Sequence, residues 1–194
     1  MKVIYSKIWQ LAKPYYEKGR PMDIDHIQWM MKEAQYVCEQ EKLDDSLLLP
    51  LVILHDIGYA KVPKNNPFNL NIRKAHMESG SKIAKSILVK VKYPKDKIKE
   101  IVYFVSVHDN WAFGDIEIYT KNKILGIFTD LDFIWIVTPK GFPALMKILN
   151  LSPKGLIKYL ESKKNPAKIV PFSSKTTKQL YDKYFKNWKK EINA

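Results

Sequence analysis

The chain has 194 residues and one cysteine, Cys38. A single thiol excludes an internal disulfide framework and any thiolate-built zinc cluster, so a metal site here has to be made from histidine and carboxylate. Arginine is nearly absent: only Arg20 and Arg73 stand among the 33 basic residues, and the rest are lysine. Bidentate grips on phosphates and base edges usually use arginine, so the lysine surface reads first as a solvated face, and nucleic acid is not the favoured partner. No apolar run approaches the roughly 18 residues that a membrane-crossing helix needs. Met1 to Tyr16 shows neither a continuous apolar stretch nor an obvious cleavage site. No transmembrane helix and no signal peptide are therefore expected, and the cytoplasm is the expected location.

What the chain does contain is apolar residues at 46%, enough for a globular core, and a net charge of +13. The charge is uneven: from Leu151 to Ala194 there are eleven lysines against Glu161, Asp182 and Glu191. Such a balance favours anionic partners.

Periodicity predicts helix after helix. One runs from a cap at Asp23 or Asp25 to about Gln40, and a second from Ser46 to Asp56 with Gly58 placed to end it. Lys61 to Asn71, with two prolines and four asparagines, reads as a loop. Further helices are predicted over Ile72 to Val89 and Lys95 to His108, then a loop over Asp109 to Thr120, then a helix over Asn122 to Val137. The centre of that last helix, ILGIFTDLDFIWIV, is apolar almost all round and should be buried. Pro139, Gly141 and Pro143 interrupt the pattern, and shorter helices are expected over Phe142 to Leu149, Pro153 to Glu161 and Lys175 to Ile192. The expected organisation is an all-α core over 1–138 with a basic helical extension over 139–194 packed on the same domain. The aromatic residues Tyr181, Tyr184, Phe185 and Trp188 recur at helical spacing and read as core or as a homodimer face.

The four histidines each fall at a helix end or on a face that also carries core residues. His55 continues the stripe Leu48, Leu51, Val52; His108 continues Ile101, Phe104, Val105; His76 begins Gly80, Ile83, Ala84; His26 lies beside Met30. One such histidine is usually a hydrogen-bonded core residue, but four of them accompanied by buried carboxylates are harder to explain that way. Asp56 directly follows His55, and Asp130 and Asp132 lie in the most apolar helix, where only Lys123 is basic. A carboxylate buried there is costly without a cation, and a metal ion is the economical partner. Mixed nitrogen and oxygen donors suit divalent transition metals such as Fe, Mn, Ni, Co or Zn.

The ordered set His26, His55-Asp56, Asp130 resembles the H…HD…D signature of the HD-domain superfamily. PLVILHDIGYAKVP, Pro50 to Pro63, resembles that family's apolar helix ending in HDIG. KAHMESGSKIAKSIL and VSVHD resemble the segments that add a third and a fourth histidine, His76 and His108, in two-metal members. The HDIG segment is similar to that of the HD-GYP group, but Tyr59 stands where that group usually has lysine, VHDNW replaces its double histidine, and the GYP motif is missing. The resemblance is stronger to small stand-alone HD hydrolases, including those that cleave dinucleoside polyphosphates.

The resemblance implies an HD-domain bundle of five core helices with additional C-terminal helices. It implies that His26, His55, Asp56 and Asp130 hold a first ion, that Asp56 bridges, and that His76 and His108 complete a second. Asp132 is the alternative to Asp130, and Asp109 could add an outer hydrogen bond. The implied activity is metal-dependent hydrolysis of a phosphate ester or anhydride in a small phosphorylated substrate, foremost a nucleotide. Lys61, Arg73 and Lys74 flank the loop after the HD pair and are the candidates for gripping phosphate, Arg73 first because of its fork. Trp111 could stack on a nucleobase. Two other readings stay open: an HD-fold di-iron oxygenase with a small anionic substrate, and a non-catalytic module that binds nucleotide or metal.

Overall fold

The computed structural model describes residues 2–64, 69–162 and 169–193. Residues 65–68 of the expected asparagine-rich loop and 163–168 of the lysine-rich segment lie outside the described residues. Among those described, every regular element is helical, as the periodicity predicted, and no helix is long and apolar enough to cross a membrane. The chain divides into two compact units, 1–115 and 116–194.

The first unit opens with α1 (Val3–Lys18), a helix that the periodicity of the sequence does not mark. Tyr5, Ile8, Ala12 and Tyr16 form its buried stripe, but polar residues between them and Pro14 in its interior mask the amphipathic signal. The Tyr16 hydroxyl donates to the Ile53 carbonyl at 2.9 Å, tying α1 to α3 (Asp45–Leu54). Between them runs α2 (Asp23–Glu41), in which Asp23 and Asp25 occupy the first turn; neither is the cap, which is Met22. Carboxylates there face the positive end of the helix dipole. Asp44 caps α3 by accepting from the Ser46 amide. The helix from Leu48 to Leu54 is buried on every side, as suits a central element.

Gly58 does not simply end this helix. It lies in a short 3₁₀ turn, Ile57–Lys61, pressed on α4 (Leu70–Lys90), where a Cβ would stand 1.8 Å from the His76 carbonyl oxygen. Only glycine permits that approach. Asn69 caps α4 by accepting from the amides of Asn71 and Ile72, and α5 (Lys95–Val107) packs along it. The expected loop after His108 holds a 3₁₀ turn, Asn110–Phe113, closed by Gly114 in the left-handed region at φ 88°.

The second unit contains α6 (Glu117–Lys121), which was expected to be loop, then α7 (Lys123–Trp135), α8 (Gly141–Leu149), α9 (Pro153–Glu161) and α10 (Lys175–Asn193). α7 is buried from Leu125 to Leu131 and packs against α6 and α10. Trp188 of α10 stacks on Phe142 with centroids 4.2 Å apart and donates to the Val137 carbonyl at 2.9 Å. Tyr181 is buried against Phe172 and Phe185. Trp188 and Tyr181 thus have packing partners inside their own unit.

Candidate metal centre

Within the first unit the four histidines meet. His26 comes from the first turn of α2, His55 from the C-terminal cap of α3, His76 from the second turn of α4 and His108 from the C-terminal cap of α5. The rings form a chain, with centroids 5.5 Å apart from His26 to His55, 5.3 Å from His55 to His108 and 5.0 Å from His108 to His76. All four are buried. Asp56 lies among them: one oxygen is 3.5 Å from His55 Nε2, and the other is 3.4 Å from both His76 Nε2 and His108 Nε2.

The orientation of the rings follows from their other nitrogen. His55 Nδ1 lies 3.0 Å from the Val52 carbonyl, His108 Nδ1 2.8 Å from that of Val105, and His76 Nδ1 3.4 Å from that of Ile72. A carbonyl oxygen only accepts, so each Nδ1 carries the proton, and a neutral ring then presents a bare lone pair at Nε2. Yet His76 Nε2 and His108 Nε2 are 3.1 Å apart, with the Asp56 carboxylate oxygen beside both. Three electron-pair donors converge with no proton of their own to share, and such a set fits a cation.

Electrostatics point the same way. Burial opposes ionisation of Asp56, but the adjoining His55 first, then His108 and His76, hold its carboxyl well below the ordinary range, the role a bound cation would take over. Burial lowers His76, against the pull of Asp56, which favours the neutral, ligating form.

Two groupings in this unit have spacing suited to an ion: Asp56, His76 and His108, and Asp23, His26 and Asp56. Asp23 is absent from the set read from sequence. It precedes His26 by three residues on one face of α2, a spacing that could have marked it. Burial pushes its carboxyl up to about 6 against the opposing charge of Arg20, whose Nε is 3.0 Å away.

Arg73 is largely buried, with Nη1 2.7 Å from Asp109 and its guanidinium 4.9 Å from the centre of the Trp111 ring. The Trp111 indole donates to Asp109 at 3.1 Å, and Asp109 is 3.9 Å from His76 Nε2. Arg73 and Trp111 therefore reach the histidine cluster through Asp109. Lys61 and Lys74 are exposed.

Asp130, expected as a ligand, is in the second unit and has partners there. One of its oxygens accepts from the Ser173 amide at 2.8 Å and from the Thr177 hydroxyl at 2.6 Å. Burial raises its carboxyl to about 7, against those hydrogen bonds. Neutral donors arriving from more than forty residues away thus reach this carboxylate in α7. Asp132, two positions on, is half-buried.

The HD domain family model matches residues 23–132, which include all four histidines and end at Asp132. No curated protein and no solved structure matched the chain.

Proposed function

The chain belongs to the HD-domain family, whose members are in general metal-dependent phosphohydrolases, and on that premise we propose that it hydrolyses a phosphate ester or anhydride of a small phosphorylated substrate, foremost a nucleotide. The observation that carries this reading is the convergence of His76 Nε2, His108 Nε2 and Asp56 within 3.4 Å of one another. A pair of divalent cations, when bound, would supply hydroxide at neutral pH and positive charge for phosphate oxygens.

The chain's own residues have distinct tasks. Asp56 turns one oxygen to His55 and the other to His76 and His108, which is the disposition a bridging carboxylate needs. His26 and His55 would hold the first ion, and His76 and His108 the second. For the last carboxylate of the family pattern we put Asp132 in place of Asp130. One oxygen of Asp130 is engaged by Ser173 and Thr177, and the family match ends at Asp132. Arg73, braced by Asp109 and Trp111, offers a preorganised guanidinium for a phosphate oxygen. Lys61 adds long-range attraction from the surface.

The test is phosphate release from a nucleotide panel with manganese, iron, nickel, cobalt or zinc, run with and without oxygen. Metal-dependent release that persists anaerobically is expected. Turnover that consumes oxygen and requires iron would instead establish the di-iron oxygenase, and metal binding without turnover would leave a sensor.

A further inference from the structure

The first unit packs an aromatic ring against one of these imidazoles. Tyr59 lies flat on His76, with centroids 4.1 Å apart and planes 10° from parallel. The Arg20 guanidinium sits 4.4 Å from the centre of the same ring. His76 already covers one face, so the guanidinium must cover the other. Arg20 is in turn gripped by Asp23 at 3.0 Å. The backbone enforces this order: a Cβ on Gly19 would stand 2.8 Å from the Tyr59 carbonyl carbon, and one on Gly58 1.8 Å from the His76 oxygen. Each glycine brings the residue after it, Arg20 or Tyr59, into the stack.

His76 has more need of such support than its neighbours. Val52 and Val105 lie in the last turns of α3 and α5, where carbonyls lack helical partners and can bond fully to His55 and His108. Ile72 lies in the first turn of α4, so its carbonyl also serves the helix, and its contact with His76 Nδ1 is the longest of the three at 3.4 Å.

We propose that Tyr59 and Arg20 are positioning residues for the second cation: the Arg20–Tyr59 stack fixes the plane of the His76 imidazole and so sets the affinity of the subsite that His76 shares with His108. The inference rests on the two-ion reading of the centre and concerns residues that bind no ion themselves. Polarisation of the Tyr59 ring by Arg20 stiffens the stack. An aromatic ring is required at position 59, whereas its hydroxyl is not.

The test is Mn²⁺ titration of the metal-stripped full chain by calorimetry, with thermal melting of the stripped protein alongside. The unmodified chain is expected to take two ions in two steps. Tyr59→Phe should reproduce both steps. Tyr59→Leu should weaken the second step by roughly 10- to 100-fold, the range for groups that orient a ligand, and leave the first unchanged. Arg20→Met, which keeps the stem and removes the charge, should fall between them. A purely structural stack would lower the melting temperature while changing both steps together or neither. That result, failure of Tyr59→Phe to restore binding, or a single step in the unmodified chain would overturn the inference. Two clean steps without phosphate release would sink the proposed reaction and leave the inference standing.

Discussion

Asp56 and Asp130 are both buried carboxylates, one in each unit, and they resolve the same physical problem in opposite ways. Asp56 is surrounded by imidazole nitrogens and is held ionised, well below the usual carboxylate range. Asp130 meets an amide and a hydroxyl, and burial lifts it to about 7. Neutral donors satisfy a carboxyl group's hydrogen bonds without supplying charge; a cluster of lone pairs around an ionised carboxylate calls for a cation. Burial of an acid is therefore poor evidence for a metal, and the identity of the atoms around it is better evidence.

The largest effect should come from Asp56→Ala. Metal content by elemental analysis should drop to background and turnover with it, while the far-ultraviolet circular dichroism stays helical; retained metal would show that Asp56 is not the bridge. Asp132→Asn and Asp130→Asn, compared directly, sharpen the contrast. Asp132→Asn should lower metal affinity by at least about 10-fold, in the range of residues that hold or orient an ion. Asp130→Asn should leave metal content unchanged, and the reverse ranking would return Asp130 to the ligand set. Gly58→Ala should destabilise the first unit by about 1–3 kcal/mol, as overpacking does, and loosen His76 with it; an unchanged melting temperature would contradict the 1.8 Å approach.

Asp130 carries its own pH signature. Its folded pKa lies above the ordinary value of 3.8, at about 7, so its contribution is fully present below about pH 4 and is lost as pH rises through 7. Melting of the metal-stripped chain should lose stability over that window, and Asp130→Asn should flatten the loss. The smallest effect is expected at Asp44, whose carboxyl is lowered to about 2, first by the hydrogen bond from Lys97 and then by Ser46. Asp44→Ala should cost about 1 kcal/mol, as loss of a helix cap does, with metal binding intact. The stability lost in that variant should be present above pH 4 and disappear in the unmodified chain as pH falls through about 2.

The parts of this picture legible in the sequence are those written in short-range pattern. The core-facing spacing of His55, His76 and His108 placed them on the helices that carry them, and the apolar run around Asp130 marked a buried α7. What escaped depends on distant partners or on disguise. α1 hides its stripe among polar residues and a proline; the Ser173 and Thr177 donors to Asp130 have no local signal; Asp23 reads as an ordinary acid in a helix's first turn. Arg73 was expected to meet phosphate, and its pairing with Asp109 and Trp111 could only be seen in three dimensions.

His55 and His108 stand at the C-terminal ends of α3 and α5, and this placement has an electrostatic consequence beyond ligation. The terminal carbonyls of a helix carry roughly half a negative charge, and here two helices end beside the same imidazole cluster. An arriving cation is drawn by both macrodipoles, and its charge in turn favours the helical state of the final turns that produce the field. Amide protons in the last turns of α3 and α5 should then exchange more slowly once metal is added, even though no backbone atom there needs to touch the ion.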